Sequence, residues 1–412
     1  MLIMLTYTHC IEREIFMYES TDILMKVIGF GLCFSQQRSP MLTASQAKTA
    51  YNLAKKHNIA QLFCYTAVQH RLVDDEQILA IFKSEYFTAI MRDNVIQKAL
   101  TDIETLFENE NIAYIPLKGA VIRYFYPESW TRSSRDIDIL VKNDDHEKVC
   151  ELLSSRLNYK INHVLCYDTV FNAPNGICIE IHHALCDGVN LLDSDKPLLN
   201  VWDSAYRDEK SKSKRLMDDD LFLYYNIYHT AKHFICGGCG LRALIDFWIL
   251  NNKFPEKSKK LQKLLEEYNL IKFCEKMEKL CRIWFLGETH DEESIALRDY
   301  IAIGGQEGNQ NVRHITTEFK KKSRFKYYLS KVFIPISELK PRYPVLERWS
   351  ILFPFCTVHR WFSLLFGTHK DIRKAKQKAF TDKQNAAEAL HNEHTTKEKV
   401  DAYQNVINIV GF

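Results

Sequence analysis

Glycine and proline are scarce in this chain, at 14 and 10 of 412 residues. That excludes collagen-like and low-complexity classes and points to helices joined by few tight turns. Long apolar runs are missing too. None reaches the roughly 18 residues of a spanning helix. Trp349–Phe366 comes nearest, but Pro354, His359 and Arg360 interrupt it. It is expected to be a buried helical segment, with attachment to a membrane surface through its aromatics as the second reading. Charge of one sign is absent as well: 55 basic against 52 acidic residues leave a formal net charge of +3. Bulk electrostatics therefore neither demand nor exclude a nucleic-acid partner. Met1–Tyr7 is apolar but short, and Glu12, Arg13 and Glu14 follow, so no secretory leader is read. The 12 cysteines are accordingly expected as reduced thiols in a cytoplasmic protein, not as a disulfide framework.

What is present is an ordinary globular mix, 46% hydrophobic and 26% charged. The length suggests two or three domains, or one core with large additions. Three regions are expected: a helical region over 1–108, a core over 109–215 and a helical region over 216–412. In the first, Ala89, Ile90, Val95, Ile96, Leu100, Ile103, Leu106 and Phe107 recur mostly at three- and four-residue steps, as on an amphipathic helix.

The texture changes at residue 112. Ile112–Leu117 reads as a strand, Lys118-Gly119 punctuates it, and Ala120–Tyr126 reads as a short helix closed by Pro127. Asp136–Val141 alternates acidic and apolar positions before ending on Leu140-Val141, so it reads as a second strand. Asp144 is expected to cap a helix running to about Leu157. Tyr167–Phe171 and Ile177–His183 are β-prone runs joined through Asn175-Gly176, a strong hairpin signal. The order strand, helix, strand, helix, hairpin predicts an α+β fold, with a small mixed sheet embedded between helical regions. Farther on, Lys210–Arg215 reads as a linker, and Asp218–Leu250 as a helical stretch interrupted at Gly237-Gly238. His369–Thr396 reads as a solvated helix.

The chemistry gathers in the core. Residues two apart on a strand share a face, so Asp136 and Asp138 point one way while Ile137 and Ile139 point to the core. Paired carboxylates repel unless a cation lies between them, and hard oxygen donors suit Mg²⁺. The plain alternative is two solvent-facing acids on an edge strand. Upstream, Lys118-Gly119 lies where a strand gives way to a helix, so backbone N–H groups and an ammonium could meet phosphate; an ordinary turn with a solvated lysine is the alternative. Arg132-Ser133-Ser134-Arg135 offers two guanidinium groups and two hydroxyls, which suit phosphate. Alternatively, Arg135 neutralises the aspartates. Glu180, an acid between two isoleucines on the later strand, would complete a metal site or serve as base to an attacking hydroxyl. His182 shares its face.

Leu117-Lys118-Gly119-Ala120, Arg132–Val141 and Ile179–His183, in that order, resemble the uncharacterised bacterial nucleotidyltransferase family of the DNA polymerase β-type superfamily. Leu53–Ala60 is similar to that family's N-terminal helical region. His229–His233 and Gly240–Asp246 are similar to the helical region after its core. The likeness spans roughly residues 45–250. It implies Mg²⁺-dependent transfer of a nucleoside monophosphate from an NTP onto a hydroxyl acceptor: a small molecule, a protein or an RNA end. Asp136 and Asp138 match the metal ligands and Glu180 the third acid. Lys118, Gly119, Ser134 and Arg135 are the expected phosphate contacts. One departure stands out: much of the superfamily has Gly-Ser where this chain has Lys118-Gly119-Ala120. The family also resembles the nucleotidyltransferase toxins of toxin–antitoxin pairs.

Rival readings remain open at this point. A glycosyltransferase also uses Asp-x-Asp, but needs a longer α/β half before it. A non-catalytic nucleotide-binding module is a third class. His229, His233, Cys236 and Cys239 have spacings that zinc could use, although Gly237-Gly238 interrupts them. Arg242 and Asp246 suit an i,i+4 ion pair. Lys320–Tyr328 mixes basic and aromatic residues, as a nucleic-acid surface would; a solvated helix face is the favoured reading.

Overall fold

A computed structural model describes residues 19–34, 39, 41–165, 167–185, 194–235, 237–304, 345–366 and 393–412. Met1–Tyr7, Cys236, Lys320–Tyr328 and most of His369–Thr396 lie outside the described residues. The chain divides into two compact units, Met1–Gln310 with Val406–Phe412, and Asn311–Asn405.

In the first unit, helices α1 (19–31), α2 (Ala44–Lys56), α3 (Ala60–Gln69) and α4 (Glu76–Asn109) come before the sheet. Asp75 caps the long α4 by accepting from the amides of Gln77 and Ile78 at 2.9 and 3.0 Å. A five-stranded sheet follows, formed by β1 (Tyr114–Pro116), β2 (Asp136–Val141), β3 (Lys160–Val164), β4 (Asp168–Asn172) and β5 (Cys178–His182), in the order β1-β2-β5-β4-β3. β2 and β5 run parallel; the other neighbours are antiparallel. The mixed sheet and the β4–β5 hairpin are as the sequence predicts. α5 (Gly119–Ile122) is one turn after β1, and α6 (Asn143–Leu157) follows β2.

One face of this sheet is the core. Ile137, Ile139, Val141, Ile179, Ile181 and Phe171 pack with Ile96, Ile103 and Phe107 of α4 and with Val149 and Leu153 of α6. Burying each such side chain contributes about 1.5–3 kcal/mol. This apolar face fixes the register, because a one-residue slip would turn the isoleucines out and the acids in.

Beyond the sheet come α7 (Val201–Ser204), a hairpin β6 (Tyr206–Arg207) with β7 (Arg215–Leu216), then α8 (Asp219–Ile235), α9 (Leu241–Lys253), α10 (Lys259–Glu267), α11 (Ile271–Leu286) and α12 (Glu292–Gly304). Gly237 and Gly238 take positive φ between α8 and α9, the predicted interruption. α13 (Val345–Arg348), α14 (Phe353–Phe366) and α15 (Glu393–Val410) complete the described helices.

Several local expectations change. Lys160–Val164 is a strand that the sequence did not announce. It is exposed along its whole length, so it carries no alternation. Lys210–Arg215 is no free linker. Its carbonyl at Ser213 accepts from Tyr114 N at 3.2 Å, and Glu108 accepts the amides of Lys212 and Ser213 at 3.1 and 3.2 Å. The stretch expected as a linker is thus tied to the end of α4, where Lys214 also pairs with Glu104 at 3.3 Å. Lys142, not Asp144, is the N-cap residue of α6. Asp144 and Asp145 lie in its first turn, where the helix dipole favours them. The stretch expected to be buried before and within α14 instead exposes Trp349, Ile351 and Phe355. Among the described residues, no helix is long and apolar enough to cross a membrane.

Candidate active site

The parallel pairing of β2 with β5 sets Asp136 opposite Cys178, Asp138 opposite Glu180 and Leu140 opposite His182. Because Ile137, Ile139, Ile179 and Ile181 fill the core face, Asp136, Asp138, Glu180 and His182 share the other face. β2 has partners on both sides and Asp138 is only 3% exposed. A pair of acids on a solvent-facing edge strand is therefore excluded.

His182 is the hinge of the cluster. Its Nε2 lies 3.2 Å from Asp138 Oδ1 and 3.6 Å from Glu180 Oε2, and its Nδ1 lies 3.6 Å from Asp168 Oδ2. Lys118 Nζ approaches Asp138 Oδ1 at 3.4 Å. Asp168, on β4 opposite His182, was not singled out from the sequence. Counting back through the Asn175-Gly176 turn would have placed it there.

The electrostatics follow from this crowding. Burial, then the neighbouring Asp138, raises the Asp136 carboxyl above the ordinary carboxylate range. Burial would raise Asp138 as well, but Lys118 and the hydrogen bond from His182 hold it well below that range. One high and one low value is the expected behaviour of two close carboxylates. Burial opposes charge on Lys118, yet Asp138, followed by Tyr225, Glu180 and Asp136, keeps its ammonium above the usual value. Burial likewise opposes charge on His182, but hydrogen bonding to Asp138 and Glu180 lifts it to about 9. Burial raises Asp168, against the pull of His182.

The turn before the pair has an unusual backbone. Lys118 sits at φ +37° and ψ −110°, a conformation that L residues rarely adopt and that costs about 1–3 kcal/mol. Gly119 is required for a different reason. A Cβ there would come within 2.5 Å of Ser134 Oγ and 2.8 Å of Arg132 Nη1. Ser134 donates to the Asp136 backbone carbonyl at 3.1 Å and lies 3.5 Å from its Oδ1. The serine missing from the Lys-Gly-Ala turn thus has a hydroxyl neighbour supplied by the later loop.

That loop is held on several sides. Arg132 makes a bidentate pair with Asp246, both bonds at 2.8 Å, and Tyr126 donates to the same carboxylate at 2.7 Å. Arg242 donates to Ser133 O at 3.0 Å, and Gln61 donates to Thr131 O at 3.0 Å. Asp246 therefore pairs with Arg132 rather than with Arg242, as helical spacing had suggested; the tertiary geometry allows both guanidinium nitrogens to bond at once. Arg132 is committed to this pair, while Arg135 is exposed at the start of β2. A second closed pair, Arg123 with Asp93 at 2.8 Å, anchors α5, because Arg123 also donates to Gly119 O at 3.0 Å.

α8 supplies the side chains that border the lysine. Tyr225 is pushed up to about 12 by burial, against the opposing influence of Lys118. Burial, then Lys118, holds His229 well below its ordinary value, and its Nε2 lies 3.1 Å from His233 Nε2. Cys236, part of the zinc reading, lies outside the described residues.

Among the described residues, Asp138, Glu180 and His182 form a group whose ligand atoms lie within 4.8 Å of one another. Two carboxylates and an imidazole suit a divalent cation. Asp168 Oδ1 is buried without a hydrogen-bond partner beside this group, as at a site with a ligand yet to be satisfied. The residues present fit a metal ion. Before the pair, the chain is helical over α2, α3 and α4, with β1 alone in strand form. That is unlike the α/β half a glycosyltransferase would need.

A family model described as an uncharacterised nucleotidyltransferase matches residues 43–286. The solution structure of the antibiotic-resistance factor ANT(2'')-Ia is similar at 12% identity. The match covers 43% of this chain and 92% of that one, with a TM-score of 0.34. Among curated proteins, none matches. The family match spans more than half of the chain and contains Lys118, Asp136, Asp138, Glu180 and His182, so the chain belongs to the uncharacterised nucleotidyltransferase family.

Proposed function

We propose that the protein transfers a nucleoside monophosphate from an NTP onto a hydroxyl acceptor, using Mg²⁺ held by Asp136, Asp138 and Glu180. The observation that carries this reading is the register that sets Asp138 beside Glu180 on the face opposite the core. When bound, the ion supplies positive charge against the triphosphate and polarises the attacking hydroxyl.

The chain's own groups do the rest. Lys118 balances the excess of carboxylates and meets phosphate charge as the nucleotide enters. Gly119, through its backbone N–H, and Ser134, through its hydroxyl, contact phosphate beside the turn, and exposed Arg135 binds the distal phosphates. Glu180, at 27% the most exposed of the ion-paired acids of the site, takes the proton from the acceptor hydroxyl. The transferase core over 109–215 supplies the carboxylates, and the helical region beyond it supplies Tyr225, His229 and Arg242 around them. The acceptor is a small molecule, a protein or an RNA end, in a cytoplasmic setting with reduced thiols. A nucleic acid is the less favoured of these.

The test is incubation with each labelled NTP and Mg²⁺, alone and with total cell extract. Label should move to an acceptor with one or more NTPs, and chelation should stop it. No transfer to any acceptor with any NTP would sink the proposal.

A further inference from the structure

We infer that His182 is a nitrogen ligand of the metal site, held in place by Asp168, so that the site prefers a transition-metal ion such as Mn²⁺ over Mg²⁺. This rests on reading the carboxylate cluster as a metal site, and it adds a donor beyond the three acids.

Four observations carry it. First, His182 occupies the same strand face as Glu180, two residues along, and stands within the 4.8 Å group with Asp138 and Glu180, to which Asp136 does not belong. Second, the ring is oriented. Nε2 faces Asp138 and Glu180, and Nδ1 faces Asp168 Oδ2 at 3.6 Å. A carboxylate behind one imidazole nitrogen and a ligand cluster before the other is the usual arrangement of metal-binding histidines. The outer carboxylate fixes which nitrogen turns to the cluster, where an ion would take the place of the Nε2 proton. Third, Asp168 is 3% exposed, and its Oδ1 has no hydrogen-bond partner. A purely structural carboxylate at that depth would be saturated. Fourth, the antiparallel register between β4 and β5 fixes Asp168 opposite His182, so the pairing is built into the sheet rather than into a mobile loop.

The donor set has a consequence for ion choice. An all-oxygen site suits Mg²⁺, whereas an imidazole nitrogen raises affinity along the transition-metal series. Mn²⁺ accepts both oxygen and nitrogen donors and supports the same charge neutralisation of a triphosphate.

The full-length protein, with no nucleotide present, is titrated with Mn²⁺ and observed by pulsed electron paramagnetic resonance. The wild type should show nitrogen-14 coupling to the bound ion, and Mn²⁺ should bind at least tenfold more tightly than Mg²⁺. H182Q should lose the coupling and weaken Mn²⁺ binding on the order of 10–100-fold while changing Mg²⁺ binding less. D168N should weaken Mn²⁺ binding about tenfold and keep the coupling. Bound Mn²⁺ without nitrogen coupling in the wild type overturns the inference, whatever the variants do. So does coupling that persists in H182Q, or the absence of any Mn²⁺ binding. Nucleotide transfer plays no part in these readouts. A protein that couples to Mn²⁺ but transfers no label would refute the proposed reaction and leave His182 as a ligand.

Discussion

Two buried ionic clusters lie side by side in this site, and they are built to opposite rules. Around Asp246 everything is matched: Arg132 bonds both oxygens at 2.8 Å, and Tyr126 adds a third bond at 2.7 Å. Around Asp138 the contacts are longer, 3.2–3.6 Å, and Lys118 and His182 stand against four acids, Asp136, Asp138, Asp168 and Glu180, with Arg242 and Arg132 adding their influence on Asp136. A saturated cluster fixes geometry. An unsaturated one, with more acid than base and an orphaned oxygen, is poised for a ligand. Buried charge of either kind is poor evidence of stability; the difference in balance is what separates scaffold from site.

Substitution in each cluster should break the comparison most sharply. D138N should abolish metal-dependent nucleotide transfer, a loss of about a thousandfold or more, in labelled-NTP assays. Its cost in thermal stability should be smaller than that of D246N, since Lys118 and His182 keep the neighbouring acids Asp136, Glu180 and Asp168 when the Asp138 charge is lost. D246N should do the reverse. It leaves Arg132 buried without its partner and should cost about 3–5 kcal/mol in chemical denaturation, with transfer by the folded fraction largely kept. Equal effects of the two variants on both readouts would erase the distinction.

G119A probes the seam between the clusters. Its methyl group would meet Ser134 Oγ and Arg132 Nη1, and Arg132 cannot yield without breaking its pair with Asp246. A loss of about 1–3 kcal/mol is expected, as for other overpacked sites, read as a lower denaturation midpoint. No change would mean that the turn relaxes.

The smallest effect is set by pH. His57 accepts from Leu241 N at 3.2 Å and lies 3.2 Å from Ala302 O, so it serves as a neutral bridge between helices. Burial, with Lys56 nearby, lowers it from 6.5 to about 3 in the folded protein. The unfolded chain therefore takes up the proton first. The contribution is complete above pH 6.5 and is lost as pH falls toward 3, about 2 kcal/mol by pH 5. Comparing the wild type with H57Q by denaturation at pH 7 and 5 should isolate this window. Parallel pH dependence in both proteins would remove His57 as its source.

How much could be read beforehand depended on whether a residue's role was written locally. Asp-Ile-Asp-Ile and Ile-Glu-Ile-His state both faces of their strands through a period of two, so the three acids, the sheet core and the hairpin were legible. Lys160–Val164 was not, because a fully exposed strand has no second face to contrast with. The Arg132–Asp246 pair was hidden by distance, 114 residues, while a nearer arginine offered a plausible helical spacing. Asp168 was legible only through the register of its hairpin.

The parallel union of β2 with β5 has one more consequence, in the order of assembly. β1 can pair with β2 first, across the segment 117–135 that holds α5, but β5 joins the other edge only after α6, β3 and β4 have been made. Closing that longer loop costs more entropy and comes later. During synthesis, Asp136 and Asp138 are therefore laid down on a strand with one edge still open. The carboxylate site does not exist until the segment carrying Glu180 and His182 arrives. Completion of the sheet and completion of the site are one event, so a chain truncated before Cys178 would lack both.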